Sequence, residues 1–69
     1  MERTELKLFR IRKKLTQAQI AKKLGYSRGH YARFESGEAD MTLRFLQALE
    51  TAFNIPFVEA QRLGLRDNE

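Results

Sequence analysis

Few side chains in this sequence offer reactive chemistry. There is no Cys, His30 is the sole imidazole, and the nine Asp and Glu include no pair suitably placed for acid–base work. Without a thiol, a His/Cys cluster or a Gly-rich phosphate cradle, neither nucleophilic catalysis nor a metal centre nor a cofactor is expected, and the chain reads as a non-enzyme. What remains is cationic hydrogen-bonding chemistry, because Lys and Arg number 13 and the formal net charge is +4. Their placement says more than their sum. Met1 to Arg33 holds ten Lys and Arg against two Glu, about +8, and the remainder sums to about −4. A gradient this steep draws a polyanion toward the N-terminal half. Charge alone leaves two readings open, a nucleic-acid surface or an ordinary solvated basic face.

Those cations need a scaffold that 69 residues can build. A single domain over 1–69 is expected, ordered over about residues 4–64, near the size at which one hydrophobic core only just offsets the conformational entropy lost on folding. With no disulfide available, stability must come from packing, capping and dimerisation. Purely apolar runs reach only two or three residues, as at Phe57-Val58, too short for a membrane span or a signal-peptide core. The expected location is the cytoplasm, at the nucleoid, with no membrane partner.

Apolar spacing and capping signals predict an all-α fold of five short helices. The first runs from about Thr4 to Lys14, with Leu6, Phe9 and the stem of Lys13 on its apolar face; Leu8 and Ile11 fit that face less well. Thr16-Gln17-Ala18-Gln19 matches a capping box, flanked by Leu15 and Ile20 at staple spacing, so a second helix spans about Gln17 to Leu24 and stops at Gly25. Ser27, flanked by Tyr26 and Tyr31, opens a third helix from Arg28 to about Glu35, closed by Ser36-Gly37. Thr42, flanked by Met41 and Leu46, opens a fourth, whose Phe45, Leu46, Leu49, Ala52 and Phe53 recur at helical spacing before Asn54. Pro56, in a favoured first-turn position, begins a fifth through about Leu63, with Gly64 as its stop and a frayed polar tail beyond.

Two short helices joined by a tight Gly-containing turn, the second with exposed side chains at its start, are the parts of a helix-turn-helix. The second and third predicted helices qualify, with Ala21 small enough for close crossing and Tyr31 and Phe34 as inward anchors. The run Leu15-Thr16-Gln17-Ala18-Gln19-Ile20-Ala21-Lys22-Lys23-Leu24-Gly25, continued by Phe34-Glu35-Ser36-Gly37, resembles the phage repressor and Cro-type (XRE) helix-turn-helix family. The likeness covers approximately Leu6 to Leu63, and Gln17, Ala21, Leu24, Gly25, Glu35 and Gly37 agree together. It implies a compact five-helix, repressor-like DNA-binding domain whose third helix enters the major groove, usually as a dimer on a pseudo-palindromic double-stranded operator.

Carried over position by position, the resemblance places base contacts at Arg28, Gly29, His30 and Arg33. A guanidinium can donate two hydrogen bonds to guanine O6 and N7, worth about 1–3 kcal/mol of discrimination; phosphate contact or simple solvation is the alternative for each Arg. Gly29 costs about 1 kcal/mol of helix propensity relative to Ala, and close backbone approach to DNA or mere tolerance would both account for it. His30 either donates to a base or phosphate or is a surface residue without a role. Gln17 falls where the family commonly touches a phosphate at the start of the second helix, and Ser27 combines capping with a phosphate contact. Arg12, Lys14 and Arg44 are further phosphate candidates, while Lys13, Lys22 and Lys23 add non-specific attraction. Arg10 and Glu35 match a partly buried structural ion pair seen in some members.

Two positions depart from the pattern. Glu38-Ala39-Asp40 stands where basic residues often grip the DNA backbone, and Lys14 stands where many relatives have Gly, which calls for either a left-handed Lys or a differently shaped turn. Because the sequence ends at residue 69, a dimer is expected to use the domain itself, through the fifth helix and its neighbours, where Phe57, Val58 and Leu65 offer apolar surface; an ordinary core role is the alternative for Val58 and Leu63. The rival reading is a protein-interaction adaptor, or an antitoxin docking a partner protein through the acidic half. The polar, Arg-bearing start of the third helix favours DNA.

Overall fold

The computed structural model describes all residues, Met1–Glu69, as five α-helices. Thr4–Arg12 forms α1, Gln17–Leu24 α2, Arg28–Ser36 α3, Leu43–Phe53 α4 and Phe57–Leu63 α5. No strand interrupts them, so the all-α expectation holds. No helix is long and apolar enough to cross a membrane.

Each of the three central helices begins where a hydroxyl can accept an otherwise unpaired backbone N–H. Thr16 accepts from the Gln19 amide at 3.1 Å while the Gln19 side chain returns a bond to the Thr16 amide at 2.9 Å, completing the capping box. Ser27 and Thr42 accept from His30 and Phe45, each at 3.1 Å. Gly25 ends α2 with φ +82°, and the amides of Gly25 and Tyr26 close on the carbonyls of Lys22 and Ala21. That paired closure is a Schellman turn, and it sends the chain straight into α3. Asn54 ends α4 in the same left-handed region at φ +52°. Gly64 caps α5 at φ −80°, so it stops that helix without needing glycine's conformational freedom. Pro56 precedes α5 as its cap rather than occupying the first turn.

The first helix is shorter than its apolar pattern predicts. It ends at Arg12 because Lys14 takes φ +59°, the left-handed alternative, which breaks the helical path toward Thr16. Leu6 and Phe9 are buried as expected. Lys13 remains exposed, its ammonium resting 5.4 Å over the Phe9 ring. Leu8 and Ile11 face outward, so the poor fit of those two residues was a true signal.

The core gathers residues from all five helices, centred on Leu6, Ile20, Tyr31, Phe45, Leu49 and Leu63, which have essentially no exposed surface. Phe34 stacks on Phe45 with ring centroids 4.2 Å apart, and the Tyr31 ring lies 6.2 Å from Phe45 in a stacked orientation. This aromatic layer backs α3 and sets its outward face. Ala21, buried against it, permits the close crossing of α2 and α3.

Hydrogen bonds tie the polar tail back onto the domain. Asp67 accepts from the Thr4 amide at 2.7 Å and from the Thr4 hydroxyl, supplying the cap that Arg3 does not give α1. Its own amide donates to the Glu2 carbonyl at 2.8 Å. Arg66 donates to the Gly37 carbonyl at 3.0 Å and pairs with Asp40 at 2.7 Å. Charged tail residues thus find donors at the start of α1 and acceptors on the α3–α4 loop.

Candidate nucleic-acid interface

The first turns of α3 put Tyr31 and Phe34 inward and leave Arg28, Gly29, His30 and Arg33 outward, as the helical period requires. The helix is nine residues long, about 13 Å, and an α-helix of that kind fits the B-DNA major groove, about 12 Å wide. Neither Arg28 nor Arg33 is among the arginines in ion pairs, which are Arg10, Arg62 and Arg66. Two uncompensated guanidinium groups on one exposed face are free to donate to an anionic or acceptor-rich ligand.

His30 is outward but not loose. Its ring stacks on Phe34 at 5.0 Å and meets the edge of Tyr26 at 5.0 Å. Tyr26, in the turn, also packs against Phe34 and Phe45 and carries the Arg44 guanidinium 5.9 Å above its ring. The turn, the start of α3 and the start of α4 are thus joined by one aromatic group with a cation on its outer side. Sequence reasoning assigned Tyr26 only a staple; its larger role depends on contacts with Arg44 and Phe45 that its local spacing does not reveal. A Cβ added at Gly29 would meet no atom within 4 Å, and its backbone is ordinary helix.

At the other end of α3, Arg10 and Glu35 form the expected pair. Arg10 Nε and Nη2 donate to the two carboxylate oxygens at 2.9 and 3.1 Å, and Nη1 donates to the Leu15 carbonyl at 2.9 Å. This bidentate geometry joins α1 to α3 and to the turn before α2. Burial opposes the charge on Glu35, but hydrogen bonds from Arg10 and Gln17, with the Arg10 charge, outweigh it and hold the carboxyl below its ordinary value. The same pair raises Arg10 above the usual guanidinium value. Burial, reinforced by Glu35, pushes the Tyr31 phenol up.

The phosphate candidates divide. Gln17 is half-buried at the start of α2 and one of its amide N–H groups donates to Glu35 at 3.3 Å, leaving the other free. Ser27 uses an oxygen lone pair as the α3 cap and keeps its O–H as a donor. Gln17 and Ser27–Arg44 therefore flank α3 at opposite ends. Arg12, the last residue of α1, and Lys14, in the α1–α2 turn, lie exposed with no contact tying them to α3. The acidic loop Glu38-Ala39-Asp40 is less repulsive than its composition suggests, because Arg66 neutralises Asp40.

A left-handed glycine turn between two crossed helices, the second with a basic exposed start and a buried aromatic back, defines a DNA-binding helix-turn-helix domain. A family model described as helix-turn-helix matches residues 6–59. The chain belongs to this XRE-type family of DNA-binding regulatory domains. No curated protein and no solved structure matches it.

Proposed function

We propose that this chain is a sequence-specific regulator of transcription, repressor- or Cro-like, that reads the major groove of double-stranded DNA with α3. The observation that carries the reading is the outward set Arg28, Gly29, His30 and Arg33 on a helix whose back is fixed by Tyr31 and Phe34. Arg28 and Arg33 are the base readers, since their guanidinium groups have no internal carboxylate to satisfy. Gln17, Ser27 and Arg44 grip phosphates at the two ends of α3, with Arg12 and Lys14 adding charge beside Gln17. Two copies, meeting through the α5 region, bind a pseudo-palindromic operator.

Selection from random duplexes, followed by salt-titrated binding of the wild type, Arg28→Ala and Arg33→Ala, tests this. A two-fold-related motif should emerge. Each Arg change should cost about 1–3 kcal/mol and relax preference at one base position in each half-site. Failure to enrich any motif, with binding indifferent to both changes, would overturn operator reading and favour an adaptor that only attracts DNA non-specifically.

A further inference from the structure

A buried guanidinium needs acceptors, and Arg3 finds three without any carboxylate among them. Its side chain is 1% exposed. Nε donates to the Gly64 carbonyl at 2.8 Å, and Nη1 to the carbonyls of Phe34 at 2.6 Å and Ala39 at 2.8 Å. Its backbone N–H donates to the Glu35 carbonyl at 2.9 Å. Gly64 ends α5, Phe34 and Glu35 lie in the last turn of α3, and Ala39 lies in the α3–α4 loop. Carbonyls at helix C-termini lack intrahelical partners and carry the negative end of the helix dipole, so one cation serves two helix ends at once.

The placement matters because α3 and α5 are not among the helix pairs that pack extensively on each other. Arg10–Glu35 ties α3 to α1; Arg3 adds α5 and the loop. Chain termini close over the same turn. A Cβ at Gly37 would fall 1.6 Å from the Met1 carbonyl oxygen, and Arg66 donates to the Gly37 carbonyl. The end of α3 is therefore a pivot held by rigid planar geometry. Arg28 stands about 12 Å from that end, so a tilt of about 5° there displaces it by about 1 Å, enough to spoil a bidentate hydrogen bond.

We propose that Arg3 is a positioning residue for DNA reading: bridging the C-terminal ends of α3 and α5, it sets the inclination of α3 and hence the register of Arg28 and Arg33 on base edges. The inference rests on the operator reading above. Its test uses Arg3→Lys, whose point-like ammonium lacks the planar fork, and Arg3→Gln, beside Leu49→Val as a destabilised core control in α4. Residual dipolar couplings of backbone amides give the α3 axis relative to α1 and α5 in free protein. Titrations then compare the selected operator with a random duplex where each variant is folded.

Arg3→Lys should keep five helices, change the α3 couplings, and lower operator affinity at least about tenfold while random-duplex affinity falls less than about twofold. Leu49→Val should preserve that ratio. Wild-type-like α3 couplings in both Arg3 variants, or a ratio no different from the Leu49→Val control, would overturn the proposal. So would an unfolded chain in both variants, which would make Arg3 a residue of stability alone. A wild type that enriches no motif would sink the operator reading itself, and the couplings keep that failure separate.

Discussion

A glycine inside the first turns of a helix is costly, and nothing in this molecule requires one at position 29. Its backbone is ordinary helix and the space its Cβ would take is open. Gly29→Ala should therefore raise folding stability by about 0.5–1 kcal/mol. If the bare Cα admits close approach of DNA, the same change should weaken operator binding. Thermal unfolding and operator titration on one preparation read both signs; raised stability with unchanged binding would reduce Gly29 to a tolerated residue. Glu35 makes a second prediction. Its folded pKa is lowered, so the stability it contributes is present above the unfolded carboxylate value of about 4.3 and is lost as pH falls through the lower folded value. Urea unfolding should show little change from this pair between about pH 7 and 5, then a decline below about pH 4.3 that Glu35→Leu/Arg10→Leu lacks. Removing Arg10 alone should cost about 3–5 kcal/mol at neutral pH, and replacing both partners far less. Arg10, Glu35 and the exposed start of α3 were legible in the sequence because a recurring pattern marks them. Arg3 was not, since its acceptors lie 31, 36 and 61 residues away, beyond any local periodicity.

Helix boundaries were legible where the chemistry that fixes them is local. Thr16, Ser27 and Thr42 each accept the amide three residues on, so a hydroxyl and its following apolar run announce the start in the sequence itself. The end of α1 was misplaced because apolar spacing continues past Arg12, whereas a backbone turn at Lys14 decides the boundary. The α1 cap was hidden for another reason: its acceptor, Asp67, is 63 residues away. Lys14 at φ +59° bears the steric penalty of a left-handed Cβ. Lys14→Gly should relieve it and stabilise the fold by about 1 kcal/mol in urea titration. The cost, if Lys14 meets phosphate, is a salt dependence of DNA binding shallower by about 0.9 in slope. An unchanged slope would remove Lys14 from the interface.

For the molecule as a whole, charge and apolar surface divide the labour. Its unpaired cations concentrate in α1–α3, while Arg62 is tied to Glu5 and Glu59, and Arg66 to Asp40, on the other side of the sequence's charge gradient. Apolar exposure follows a different distribution, with Val58 70%, Leu65 50% and Phe57 37% exposed at or just beyond α5. Val58 is thus a surface residue, whereas Leu63, five residues on and on another face of α5, is core. A repressor-like dimer must set its two reading helices about 34–36 Å apart, one turn of duplex, and a shared apolar contact would fix that spacing. Val58→Glu should then leave the fold intact, since the side chain is already in solvent, and leave affinity for a single half-site unchanged. Affinity for a duplex carrying both half-sites should fall at least about tenfold, because the second copy no longer binds as a linked event. Titration on one- and two-site duplexes, with sedimentation of the complexes, separates the possibilities. Equal loss on both duplexes would assign Val58 to DNA contact or folding. No loss on either would mean that α5 does not join the copies, and the spacing of the two reading helices would have to be set by the DNA itself.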